Sequence, residues 1–83
     1  MKRSLSIRGH RTSVSLEAPF WDELVAIADA EDLSLAALVA RIDDERWRGR
    51  RPAEVPNLSS ALRVFVLERL QGRLSNRANP AGS

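Results

Sequence analysis

The chain has 83 residues, no cysteine and one histidine, which predicts a single small domain and excludes a disulfide framework and a plausible zinc site. A core of this size is marginal, so we expect oligomerisation to add to its stability. No apolar run approaches the roughly 20 residues that span a bilayer, and no signal-type segment is visible, so we expect a cytoplasmic protein without membrane contact.

Charge is segregated along the chain, although 13 basic and 11 acidic residues leave a net charge of only +2. Residues 1–16 carry only basic charge, residues 17–33 carry only acidic charge, and an Arg-rich stretch begins at Arg46. All the bases except Lys2 are Arg, whose planar guanidinium suits phosphate and guanine better than an ammonium does. The pattern is compatible with a nucleic-acid partner and equally with a solvated surface that holds ion pairs.

Residues 11–17, Arg-Thr-Ser-Val-Ser-Leu-Glu, predict a β-strand with one apolar and one polar face, because strand side chains alternate with period two. An isolated strand is unstable, so this one must pair with the preceding segment or with its own copy in a second chain. Residues 4–8 also alternate, and Gly9-His10 would permit a tight local hairpin. Residues 1–10 are otherwise expected to form a basic N-terminal arm.

Three helices are predicted after the strand. The first runs from about Ala18 to residue 30 or 31, with Pro19 in its first turn. Ser34 can cap a second helix that ends near residue 46 or 47. Residues 48–57 indicate an Arg- and Pro-rich linker, residues 58–74 a third helix with a wide apolar face, and residues 75–83 a disordered tail.

No catalytic constellation is visible, so we expect no enzymatic activity. His10 lies in a basic segment without a nearby acid, and no Ser is flanked by the glycines of a hydrolase elbow. The four glycines form no phosphate-binding loop, so no nucleotide cofactor or other cofactor is predicted. Trp21 and Trp47 are interpreted as core or interface aromatics rather than base-stacking residues.

An alternating strand, an amphipathic helix, a short turn and a Ser-capped helix resemble the ribbon–helix–helix family of DNA-binding proteins, to which the Arc and methionine repressors belong. The residues that carry the resemblance are Arg-Thr-Ser-Val-Ser-Leu-Glu at 11–17, Phe-Trp-Asp-Glu-Leu at 20–24 and Asp-Leu-Ser-Leu at 32–35. The resemblance gives residues 11–47 as the core. More narrowly, the whole span of residues 2–63, from Lys-Arg-Ser-Leu-Ser-Ile at 2–7 through Asn-Leu-Ser-Ser-Ala-Leu-Arg at 57–63, looks like a short bacterial subgroup with an added third helix.

The resemblance implies a mainly α fold in which one N-terminal strand pairs antiparallel across a homodimer, and this ribbon enters the major groove of double-stranded DNA. The base-contacting residues that it implies are Arg11, Ser13 and Ser15. The implied phosphate contacts are Lys2, Arg3, Arg8, His10, and the N-terminus of the second helix at Ser34, Leu35 and Ala36. The implied dimer core consists of Thr12, Val14, Leu16, Leu24, Leu38 and Ile42.

The expected function is that of a dimeric, sequence-specific DNA-binding regulator of transcription, a repressor or an antitoxin-like autoregulator. The alternative is a protein-interaction module in which the same dimer offers its third helix to a protein partner and has lost specific DNA binding. A third possibility, a local hairpin of residues 4–16 in a monomer, would remove the basis for insertion into the major groove altogether.

Overall fold

The computed structural model describes residues 1–78, with side chains described as far as Arg73, as an N-terminal β-hairpin followed by three helices. The strands are β1, Lys2–Ile7, and β2, His10–Ser15. The helices are α1, Ala18–Ala30, α2, Leu35–Trp47, and α3, Leu58–Ala78, with a 3₁₀ turn at Pro52–Glu54 before α3. The fold is therefore mainly α.

The prediction that the strand pairs across a homodimer is wrong for this structure, because β2 pairs antiparallel with β1 of the same chain. The turn is centred on Arg8 and Gly9, one residue earlier than the Gly9-His10 turn considered from the sequence. Both residues have a positive φ, 53° and 81°, as a two-residue type I′ hairpin turn requires. Arg8 is a non-glycine residue in this conformation, and its guanidinium pairs with Asp43 and Asp44 on α2.

Local sequence chemistry accounts for the starts of the helices. Pro19 lies in the first turn of α1, where its missing N–H would have no helical partner in any case. Ser34 caps α2, and its Oγ accepts a hydrogen bond of 3.1 Å from the amide of Ala37. Asn57 caps α3 in the same way, with its Oδ1 2.8 Å from the amide nitrogen of Ser60. Each cap satisfies a backbone donor that the helix leaves unpaired.

One apolar core joins the inner face of the hairpin to all three helices. Its best-buried large side chains are Trp21, Leu16, Leu24, Leu38, Leu62, Val39 and Val66. The third helix belongs to this core and runs four residues beyond its predicted end at residue 74. Of the predicted disordered tail, residues 79–83 lie outside the described residues.

Candidate nucleic-acid interface

The hairpin presents an exposed polar face that is built from both of its strands. On β2, the side chains of Arg11, Ser13 and Ser15 are all exposed, on the face that alternation predicts. The facing positions on β1 are exposed as well, and the pairs across the face are Lys2 with Ser15, Ser4 with Ser13 and Ser6 with Arg11. The exposed face of the hairpin therefore consists of serine hydroxyls and one basic side chain on each strand, Lys2 on β1 and Arg11 on β2.

The inner face of the hairpin is apolar and rests on the helices. Ile7 and Val14 are buried, and Leu5 and Thr12 are half-buried. Arg3 is also on this side, where its guanidinium lies over the ring of Trp21 at 5.4 Å from the ring centroid. This cation–π contact uses Arg3 inside the domain, although the resemblance implied a phosphate contact for it.

The predicted dimer core lies within one chain. Val14, Leu16, Leu24, Leu38 and Ile42 are at most 4% exposed, and Thr12 is half-buried. The chain's own helices bury these side chains, so none of them needs a second copy for its burial. Their contribution to a dimer interface stays a prediction.

Of the other predicted phosphate contacts on the hairpin, two side chains are exposed and one is bound to α2. Lys2 and His10 are exposed on the hairpin. Arg8 is held against α2, where it pairs with Asp44 and donates a 3.3 Å hydrogen bond to the carbonyl oxygen of Ala40. Its role in holding the tip of the hairpin was not predicted from the sequence.

The N-terminus of α2 has backbone amides without a hydrogen-bond acceptor among the described residues, as an anion-binding site requires. Ser34 has an extended backbone and turns into the helix, so the amides of Leu35 and Ala36 are the first of α2. Across the part of the chain that the structure describes, no acceptor is assigned to either amide. Such amides at the positive end of a helix dipole favour a phosphate oxygen.

Glu31, just before this helix start, is compensated by two arginines. Its carboxylate lies 2.5 Å from a guanidinium nitrogen of Arg41 and 2.9 Å from one of Arg69. The hydrogen bond from Arg41 is the main cause that lowers the pKa of Glu31 below its ordinary value, and it raises the pKa of Arg41. The negative charge of Glu31 is therefore largely neutralised within the domain, whereas Asp32, which is closer to α2 in sequence, is exposed.

Arg63 and Arg73 of α3 are likewise turned toward acids of the first half of the chain. Arg63 pairs with Glu17 at 3.0 Å and lowers the pKa of that carboxyl, and Arg73 pairs with Glu23 at 2.9 Å. The segregated charges of the sequence thus meet as ion pairs between elements. These two arginines are therefore paired with carboxylates inside the domain. The basic side chains on the exposed face of the hairpin are Lys2 and Arg11.

The sequence reasoning did not single out Ser4 and Ser6, which share the exposed face with the predicted readers. The alternation of residues 4–8 was the available signal, but it becomes informative only when β1 is known to pair with β2. Within the described region, no group of three His, Cys, Asp or Glu side chains could hold a metal ion. Among the helices described, none is long and apolar enough to cross a membrane.

The fold and the exposed ribbon define a small, mainly α protein with a polar face on its two-stranded hairpin. A family profile described as a ribbon-helix-helix domain matches residues 1–70, so the chain belongs to the ribbon–helix–helix family, as its sequence pattern predicts. The members of this family are typically non-enzymatic and bind DNA as dimers.

A solved structure extends the comparison. The chain is similar to an uncharacterized protein from Bordetella pertussis Tohama I, with 37% sequence identity and a TM-score of 0.70. The match covers 98% of this chain but 62% of the Bordetella chain, so this chain spans less than two thirds of that protein. No curated protein matches the chain.

Proposed function

We propose that this chain is a sequence-specific DNA-binding regulator of transcription that inserts its hairpin into the major groove. The observation that carries the proposal is the exposed two-stranded ribbon, with Lys2 and Arg11 at its ends and only serines between them. The major groove of B-DNA is about 12 Å wide and admits a two-stranded ribbon. This revises the expectation that a local hairpin would remove the basis for insertion, because the intrachain hairpin is itself a two-stranded ribbon.

Arg11 is the residue that we propose to read a base directly. It is exposed and stands in β2 beyond the turn, and a guanidinium can donate two hydrogen bonds to one guanine. Ser13 and Ser15 can both donate and accept, so they contribute contact more than discrimination. His10 and the N-terminus of α2 at Ser34 would contact phosphates and fix the orientation of the hairpin.

Regulation would follow from occupancy of the DNA site. The hairpin and the three helices share one core, so we propose a repressor or antitoxin-like autoregulator whose described part is a single DNA-binding unit. Two copies could still act together on DNA, as is typical of the family. Their association would need a surface other than the seam between β2 strands.

Selection of bound sequences from random DNA tests the proposal. We expect enrichment of a short motif with the unaltered chain and loss of preference at one position of that motif with Arg11→Ala. Arg48→Ala is the matched control, because Arg48 is exposed outside the hairpin. It should leave the motif unchanged.

The salt dependence of binding provides an independent test. If about six phosphates are neutralised, the affinity should fall with a log–log slope near −5 as salt is raised. A flat salt response, or no enriched sequence, would contradict DNA binding as the function.

A protein-interaction module is the second candidate, and one observation favours it. A groove with a cavity volume of about 350 Å³ lies between α2 and α3, lined in part by Phe65 and Val64. Val64 and Leu67 are 53% and 52% exposed on the outer side of α3. However, Leu62 and Val66 of the predicted apolar face are buried in the chain's own core, and Leu58, Phe65 and Leu70 are half-buried against it.

The two candidates differ in which substitution matters. A DNA regulator should lose base preference with Arg11→Ala and should keep it with Leu67→Ala. An interaction module should keep its function with Arg11→Ala and should lose partner binding with Leu67→Ala.

A further inference from the structure

Positive charge without an acidic partner is concentrated at two places on the described surface. The arginines that lie within ion-pair distance of a carboxylate are Arg8, Arg41, Arg46, Arg63, Arg69 and Arg73. Among the side chains that the structure describes, the lysine and arginines outside these pairs are Lys2, Arg3 and Arg11 of the hairpin and Arg48, Arg50 and Arg51 after α2. The short segment after α2 therefore carries as much unpaired positive charge as the whole hairpin.

Residues 47–51, Trp-Arg-Gly-Arg-Arg, form an exposed basic surface that we call the linker patch. All five residues are exposed, and 45% of Trp47 is accessible to solvent. The acids that flank the patch in sequence are Glu45 and Glu54, and neither forms an ion pair with a described arginine of the patch. The charge of the patch is therefore directed to solvent.

One arginine of the linker patch has a structural role, and two do not share it. Arg50 donates hydrogen bonds to the carbonyl oxygens of Glu45, at 3.4 Å, and of Arg46, at 2.8 Å, at the C-terminus of α2. A basic side chain near the end of a helix commonly satisfies the last carbonyl groups in this way. The guanidinium groups of Arg48 and Arg51 make no ion pair within the described residues, so their charges are available to a ligand.

The linker patch follows the part of α2 that contacts the tip of the hairpin. Arg8 of the turn donates a 3.3 Å hydrogen bond to the carbonyl oxygen of Ala40 and lies 3.7 Å from the carboxylate of Asp43. Trp47 comes one helical turn after Asp43, about 6 Å along the axis of α2. DNA that receives the hairpin would therefore have its backbone close to the patch on the side of the hairpin tip.

We propose that the linker patch binds backbone phosphates of the DNA that flanks the sequence contacted by the hairpin. This inference rests on the proposed DNA-binding function and adds a contact surface that lies outside the hairpin and the N-terminus of α2. A guanidinium suits this ligand because it can donate two parallel hydrogen bonds to a phosphate. Phosphate contacts carry no sequence information, so Arg48→Ala should lower affinity for every sequence while the selected motif stays the same.

The salt dependence of binding on two duplexes tests the proposed contacts. On a duplex that extends about five base pairs beyond each end of the motif, the combined change Arg48→Ala and Arg51→Ala should reduce the log–log slope by about 1.8 for each bound chain, or about 0.9 per phosphate. Between 50 and 200 mM salt, this difference corresponds to an advantage of the unaltered chain that shrinks about 12-fold. On a duplex that ends at the motif, the two chains should have equal slopes. Arg50 is retained so that the end of α2 keeps its hydrogen bonds.

Arg73→Gln is the charge control for this experiment. It also removes a positive charge, but Arg73 lies on α3, where it pairs with Glu23 at 2.9 Å. We expect equal slopes for this variant and the unaltered chain on both duplexes. A fall of about 0.9 with Arg73→Gln would show that the slope follows net charge rather than contacts of the linker patch, and it would overturn the inference.

The fluorescence of Trp47 provides a local readout, because the other tryptophan, Trp21, is only 1% exposed. Acrylamide should quench Trp47 in the free chain and on the duplex that ends at the motif, and the extended duplex should protect it. Trp47→Phe should abolish the protected signal. Lack of protection on the extended duplex, or an unchanged slope with the combined variant, would overturn the inference. Failure of the unaltered chain to bind either duplex would instead refute the proposed function.

Discussion

Glu31 shows how single residues connect the helices of this small domain. It follows α1, and its carboxylate pairs with Arg41 of α2 and Arg69 of α3, so one side chain links all three helices. Exposed ion pairs contribute little individually, but this carboxylate is 25% exposed and has two partners. We therefore expect Glu31 to contribute to stability in a pH-dependent way.

Glu31→Gln should destabilise the domain at neutral pH, because it removes the charge that both arginines contact. The pKa of Glu31 is lower in the fold than in the unfolded chain, so its stabilisation is present above the unfolded pKa and is lost as pH falls through the folded value. Urea unfolding at a series of pH values should show the difference between variant and parent shrinking with acidification. Glu68→Gln, at an exposed position of α3, is the control and should show a smaller difference at neutral pH.

At the scale of elements, the hairpin turn decides how the ribbon is made. Arg8 and Gly9 both adopt a positive φ, and the backbone twist of such a turn matches the twist of the flanking strands. A two-residue loop brings β1 and β2 together without the cost of joining two chains. The turn is therefore the feature that makes the ribbon intramolecular.

Gly9→Ala should destabilise the domain by about 1 kcal/mol, because a Cβ is unfavourable at φ 81° although no neighbouring atom would obstruct it. Gly72→Ala is the matched control, since Gly72 lies within α3 with equal space around it. The same substitution there should stabilise by up to about 1 kcal/mol. Equal effects of the two changes on the midpoint of thermal unfolding would contradict the assigned turn.

At the scale of the whole molecule, α3 closes the core that the hairpin, α1 and α2 leave open. Leu62 is fully buried and Val66 is 1% exposed, whereas Leu67 of the same helix faces outward. A domain of this size has roughly 4–12 kcal/mol of stability in total. The third helix should therefore be necessary for folding rather than an appendage.

Leu62→Ala should cost about 2–5 kcal/mol of unfolding free energy, which is a large fraction of the total. Leu67→Ala should change it by no more than about 0.5 kcal/mol, because that side chain is 52% exposed. Urea unfolding of both variants measures the difference. A larger cost at Leu67 than at Leu62 would show that the outer side of α3 is buried against another copy.

Much of the local structure could be predicted from the sequence. The alternation of residues 11–16 correctly assigned Arg11, Ser13 and Ser15 to one exposed face, and Ser34 was correctly predicted to cap a helix. These features depend on side-chain periodicity and on hydrogen bonds between residues close in the chain, so a short window of sequence contains the information. The same window cannot show that Arg3 covers Trp21 or that Arg8 contacts α2, because those partners are distant in sequence.

By itself, the sequence determined the ribbon–helix–helix family, the polar face of the strand and the caps of the helices. Only the tertiary structure decided which strand pairs with β2 and which charges remain on the surface. Alternation determines which side of a strand is polar, but either a second chain or a preceding segment can supply the hydrogen bonds at its edge. The two-residue turn at Arg8 and Gly9 provides the intramolecular partner, and closing so short a loop costs less entropy than associating two chains.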